Sequence, residues 1–349
     1  MNTRFENHLN ELTENDWKST VTTLNEGGKI HEVDSAATEV WFTFYPLALF
    51  RHLQKAEDEE VVLRKFVIQG NYSLRNQVDT SHRFFWGHRF WRDVKHAVIA
   101  RAGSFEADKF DLNEEATLLA RSVANGVKQE ESLLIGITLV ALMTLVQTGL
   151  EAFGKTSGDI AKPAGLLKKS PKEVLSARNS EKNAGGMFGF LKSVDKEYQI
   201  TWDETDSSAK FDAIRDEELA SAAARDRTRN WKNGDKRCIE GVIPVECRAA
   251  ACGTCWVGVL SGADKLSDVA HLERKQMKVF GYKQGKEAKP ILRLACQARA
   301  EGNVSIVIPP WNGVFGKKIY GVEEVILEPA TTSAKKQREI IAEATNLTE

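Results

Sequence analysis

Four cysteines carry the clearest chemistry in this chain. Cys247-Arg-Ala-Ala-Ala-Cys252-Gly-Thr-Cys255 puts three thiols in one short loop, and Cys296 follows far downstream in Arg293-Leu-Ala-Cys296-Gln. Thiolates are soft metal ligands, and the C-x4-C-x2-C…C spacing is that of a [2Fe–2S] cluster. Three thiolates converge from one loop only where the backbone turns tightly and its amides face sulfur. Small side chains permit this, and Ala249, Ala250, Ala251 and Gly253 are all small. The competing reading is structural zinc, which usually takes paired C-x2-C knuckles. Here Cys296 stands alone and the loop runs straight into a strand pattern, so the cluster is preferred. Its expected ligands, and the only metal ligands expected, are Cys247, Cys252, Cys255 and Cys296.

The fifth cysteine, Cys238, lies just before the loop and is read as a buried free thiol, since free cysteine is often buried. A second candidate is His82-Arg-Phe-Phe-Trp-Gly-His88-Arg-Phe-Trp91-Arg-Asp-Val-Lys-His96, which is aromatic and basic. On a helix His88, Arg92 and His96 would share a face. The bland reading, a core helix with packed aromatics, is preferred over a protein docking face or a haem, quinone or second metal site. No C-x-x-C-H haem attachment, G-x-G-x-x-G or P-loop occurs. No nucleophile–base pairing is credible, because the cysteines are already assigned. No catalytic residue is therefore expected, and no substrate chemistry of the chain's own.

These ligands need a sheet to position them. Tyr198–Trp202 alternates like a strand with Lys210–Ile214 as its hairpin partner. Glu217–Trp231 reads as a helix, Trp256–Leu260 as a strand, Leu272–Phe280 as a short helix, and Val304–Ile308 as a strand stopped by Pro309-Pro310. Upstream, residues 1–155 read as helical: 40–56, 59–69, 83–102 and 113–127 mix apolar and charged residues at helical spacing. Ser132–Phe153 is their most buried partner, since a helix apolar all round needs neighbours on every side. The expected fold class is α+β, an all-α N-terminal domain followed by a β-grasp domain. Its expected divisions are a helical bundle over 1–155, a breaker-rich linker over 156–194, a cluster domain over 195–330 and a tail over 331–349.

The segment from Cys247 to Gly262 resembles the ligand loop and following strand of plant-type [2Fe–2S] ferredoxins. Leu266-Ser-Asp268, Arg293–Gln297 and Gly302–Pro309 are similar to later parts of that family. The resemblance covers about residues 196–312. It implies one-electron transfer through a [2Fe–2S] cluster. Family members usually carry glycine where this chain has Ala250, and the stretch between Cys255 and Cys296 is longer than in the shortest ferredoxins. Residues 195–328 balance acidic and basic side chains, so the acidic docking surface of many small ferredoxins is missing.

The chain has 349 residues, room for two domains, and a formal net charge of −1. No global field draws it to nucleic acid, and no nucleic-acid partner is expected. The first twenty residues are polar and lack the apolar core of a signal peptide. Residues 132–150 carry no charge, but glycines, threonines and a glutamine interrupt them, and a buried helix is preferred to a membrane span. The expected setting is cytoplasmic, with association to a membrane-bound complex left open. The expected role is an electron-relay subunit of a larger oxidoreductase, hydrogenase or dehydrogenase in type, whose partner is a redox protein. A free ferredoxin shuttle with an accessory helical domain, and an iron–sulfur redox sensor, are the alternatives.

Overall fold

A computed structural model describes residues 2–180, 196–282 and 289–322. The N-terminal half is helical: α1 (Arg4–Glu11), α2 (Glu14–Glu26), α3 (Glu32–Phe44), α4 (Leu47–Gln54) and α5 (Glu59–Lys65), then the short strand β1 (Gln69–Gly70), α6 (Trp91–Ser104), α7 (Leu112–Val127), α8 (Ser132–Thr148) and α9 (Leu150–Lys155). Local chemistry sets many of these ends. Thr3 and Thr13 open α1 and α2 with capping boxes to Glu6 and Asp16. The helix read over 40–56 is broken at Pro46, which cannot donate the bond a continuous helix needs. The helix read from Arg83 starts only at Trp91, after a 3-10 turn over Trp86–Phe90.

Every residue of α8 from Leu133 to Thr148 is buried, and α3, α6 and α7 pack around it. Gly136 lets α3 come close, since a Cβ there would collide with Thr38. Seventeen residues span about 25 Å, short of the roughly 30 Å hydrocarbon layer. Among the described residues no helix is long and apolar enough to cross a membrane.

Within 156–194, read as a linker, α10 (Pro171–Asn179) forms behind a Ser170–Glu173 capping box and buries Val174 against the helical half. Residues 181–195, which include the apolar stretch 187–191, and the tail 331–349 lie outside the described residues.

The C-terminal half holds β2 (Glu197–Thr201), β3 (Lys210–Ile214), α11 (Leu219–Arg225), β4 (Trp256–Ser261), α12 (His271–Val279), β5 (Leu292–Leu294), β6 (Val304–Val307), β7 (Trp311–Asn312) and α13 (Gly316–Tyr320). The main sheet is mixed, in the order β3-β2-β6-β4-β5. β2 and β3 form the expected antiparallel hairpin, β2 runs parallel to β6, and β4 is antiparallel to both β6 and β5. α11 is shorter than the helix read over 217–231. Asp226 turns its carboxylate onto the amide and hydroxyl of Thr228, which competes with the helix.

The two halves share one core. α3 lies on β4, where a Cβ at Gly258 would collide with Val40. β1 pairs with β7, and the Trp311 indole donates to the Phe44 carbonyl at 2.8 Å. Arg178 of α10 crosses to Glu204 at 2.7 Å, and both are buried.

Candidate metal centre

The loop between α11 and β4 curls around its first cysteine. Arg248, Ala250 and Gly253 adopt φ of 52°, 55° and 66°. These left-handed residues turn the amides of Ala249, Ala251 and Cys252 toward Cys247 Sγ, at 3.4, 3.3 and 3.3 Å. The Thr254 hydroxyl donates to Cys252 Sγ at 3.2 Å. At Gly253 no side chain fits, because the Phe280 ring at the end of α12 occupies its space.

Cys296 is placed from the sheet. The Ala295 amide donates to the Cys255 carbonyl at 2.9 Å, which ties the fourth cysteine to the third. Arg293 and Glu273, both fully buried, pair at 2.9 and 3.1 Å, and Glu273 also accepts the Leu294 amide at 2.7 Å. This clamp fixes β5 against α12 immediately before Cys296. Gln297 donates its amide to the Cys296 carbonyl at 2.8 Å.

Cys247 neighbours Cys252 and Cys255 neighbours Cys296, and Cys252 is close enough to act on Cys255 and Cys296 as well. Among the described residues no three His, Cys, Asp or Glu side chains converge on one single-ion site. These neighbouring thiols suit a two-iron group with two thiolates per iron. The Cys252 contact and then the three amides hold the Cys247 thiol below its usual range, against the upward push of burial. Amides directed at sulfur favour its charged form, the form a metal needs. The donor set and its cradle thus fit the group. Cys247 is exposed while Cys255 and Cys296 are buried, so one end of the site reaches solvent.

The remaining candidates lie elsewhere. Cys238 is buried, donates its thiol to the Val242 carbonyl at 3.0 Å, and burial pushes its pKa up to about 12. His82 and His88 do not share a helix with His96. They meet at 2.8 Å, Nδ1 to Nδ1, ahead of α6, while His96 is exposed on α6. The contact of His82 Nε2 with the Val78 carbonyl, 3.2 Å, needs a proton on Nε2. His82 Nδ1 is then bare and accepts from His88. Burial holds both imidazoles neutral, with His88 lowered to about 4. The Trp91 ring lies 3.8 Å from His82, and the Trp91 indole donates to Asp79. The pair is part of a packed polar core.

Around the cysteines stand Thr254, Phe280 and Glu273, which no local pattern in the sequence signals. Arg293 lies three residues before Cys296, but its partner Glu273 is on another element and no spacing points to it.

The family model of the 2Fe-2S iron-sulfur cluster binding domain matches residues 233–301, which contain all four cysteines. No curated protein and no solved structure matches the chain. The C-terminal half of this chain thus carries a 2Fe-2S iron-sulfur cluster binding domain, joined to a helical half outside the matched residues.

Proposed function

We propose that Cys247 with Cys252, and Cys255 with Cys296, each hold one iron of the cluster, and that the chain relays single electrons within a larger oxidoreductase. The sheet is read as a β-grasp, with β2 and β6 parallel at its centre and α11 packed across β3. When bound, the cluster supplies a one-electron redox centre. The protein's part is to hold it. The amides of Ala249, Ala251 and Cys252 and the Thr254 hydroxyl face two of the sulfurs, and added negative charge is eased by such donors. The exposed edge at Cys247 is the side for electron exchange.

The observation that carries the relay reading is the seat of α3 on β4, the strand that begins directly after Cys255. A free shuttle has no need of a helical half built into its cluster domain. A protein partner can use that half as a rigid handle. Purification of the tagged chain from its native cell tests this: a stoichiometric oxidoreductase partner is expected. A monomer that several reductases reduce equally fast would favour the free shuttle, and a partner bound in one redox state alone would favour the sensor. The ligand assignment is tested by iron and labile-sulfide analysis. Alanine at any of the four cysteines should abolish both, and Cys238→Ala should leave both intact.

A further inference from the structure

We infer that a cavity at the seam of the two halves binds a planar aromatic acid. The cavity has a volume of about 410 Å³, within the range of small-molecule sites. Phe84 lines it from the helical half and Trp202 and Trp231 from the sheet half. The indoles stand edge to face, centroids 5.7 Å apart, and Ile306 and Pro309 add buried apolar surface. Aromatic walls of this kind take up flat ring systems.

Charge selects among such rings. The carboxylates that line the cavity are already engaged. Glu204 binds Arg178 and Ser305, Asp235 binds Arg237, and Asp203 accepts from the amide and hydroxyl of Thr205. Two cations are not engaged in this way. Arg229 lies 4.6 Å from the Trp231 centroid, with the exposed Asp206 in its field but not bonded to it, and among the described residues neither its guanidinium nor that of Arg83 makes a hydrogen bond or ion pair. Both are exposed, whereas Ile306 and Pro309 are buried. The rings therefore belong inside and the acid at the mouth, where a guanidinium fork matches a carboxylate.

The cavity also has a defined relation to the cysteines. Val307 of β6 pairs with Gly258 of β4, and the two strands are antiparallel. The chain from Ile308 to Pro310, which lines the cavity, thus runs toward the end of β4 that follows Cys255. Arg83 and Phe84 come from the helical half, so an occupant would touch both halves at once.

Isothermal titration calorimetry of the cluster-loaded protein with 2-naphthoate and its neutral analogue 2-naphthalenemethanol tests the assignment. Saturable one-to-one binding of 2-naphthoate is expected, at least about tenfold tighter than the alcohol, from the charge-assisted contacts. Arg229→Gln and Arg83→Gln change exposed side chains, so folding and the visible spectrum of the cluster should be retained. Each should weaken 2-naphthoate and leave the alcohol unchanged, and the double variant should lose the preference. Absence of saturable binding, equal affinity for acid and alcohol, or indifference to both substitutions would overturn the inference. Cysteine substitutions that remove the cluster test the ligand assignment separately, so the two readings fail independently.

Discussion

Two buried ion pairs invite comparison. Arg178–Glu204 and Arg293–Glu273 are almost inaccessible to solvent, with side-chain exposures of 4% and 0% in the first and 0% in both members of the second. Each has further partners: Arg178 donates to the Val33 carbonyl and Glu204 accepts from Ser305, while Arg293 donates to the Ser267 carbonyl and Glu273 accepts from Leu294. Their placement differs. The first joins α10 and α3 to the sheet, across the seam of the molecule. The second lies wholly inside the cluster domain, just before Cys296. A buried pair adds little net stability, because desolvation offsets the attraction, but breaking it leaves a stranded charge. What such pairs supply here is position. One sets how the halves dock, and the other sets where Cys296 stands.

The largest expected effect comes from stranding one charge. Glu204→Ala and Glu273→Ala should each cost about 3–5 kcal/mol of stability, read by denaturant unfolding followed by circular dichroism. Their effects on the cluster should differ. Glu273→Ala should release the cluster well below the unfolding midpoint, seen as loss of visible absorbance, because β5 loses its clamp. Glu204→Ala should lose cluster and helix together. Coincident transitions in both variants would erase the distinction. Replacing both members of the seam pair, Arg178→Met with Glu204→Leu, should recover part of the loss, since the Arg178 charge is no longer stranded while the buried Asp34 gives up its cation.

A second effect separates the pairs by pH. Asp34 lies beside the seam pair and is fully buried, accepting the Trp86 and Gly87 amides at 2.7 and 2.8 Å. Burial raises its pKa from 3.8 to about 6, with Arg178 pulling down and Glu204 pushing up. The folded state thus holds the Asp34 proton more tightly than the unfolded chain. That contribution is fully present below 3.8 and is lost as pH rises through about 6, on the order of 3 kcal/mol at 1.36 kcal/mol per unit. His88 acts with the opposite sign. Its folded pKa is lowered from 6.5 to about 4, so its contribution is present above 6.5 and lost as pH falls. His82, also lowered by burial, acts with the sign of His88, so in wild-type protein Asp34 offsets only part of the histidine effect. Asp34→Asn should therefore make stability rise more steeply with pH across this window than in wild type, measured by urea unfolding. A variant with the same pH slope as wild type would show that Asp34 does not titrate there.

The tight loop was legible because its pattern is local. The small residues between Cys247 and Cys255 point to the sharp turn around Cys247, and the hairpin of β2 and β3 shows in simple alternation. The seam was not legible. Arg178 falls in a stretch whose glycines, prolines and lysines read as a linker, and nothing near Glu204 signals a buried partner. Gly258 looks like an ordinary strand residue until Val40 is found on it. The histidines misled for a related reason. Four-residue spacing suggested one helix face, but the chain at His88 is a 3-10 turn and α6 begins only at Trp91. Long-range contacts carry no spacing.

The smallest expected effect tests whether the loop is held against its own preference. Ala250 has φ of 55° and is buried. A residue with a Cβ loses roughly 1 kcal/mol in this left-handed region, where glycine loses nothing. The Ala250 amide also contacts Cys296, so the turn is required by the site and does not relax away. Ala250→Gly should relieve the strain, but glycine also gives the unfolded chain more freedom, which costs about 0.4–1 kcal/mol. The two nearly cancel in global stability. Local opening of the loop frees residue 250 as global unfolding does, so the same two effects oppose each other in the rate of cluster loss. Ala250→Gly should therefore leave the unfolding midpoint within about 0.5 kcal/mol of wild type and the rate of cluster loss to a chelator within about threefold. Loss faster than that in the variant would mean that the alanine methyl packs usefully in the loop, and that backbone strain is not what limits retention.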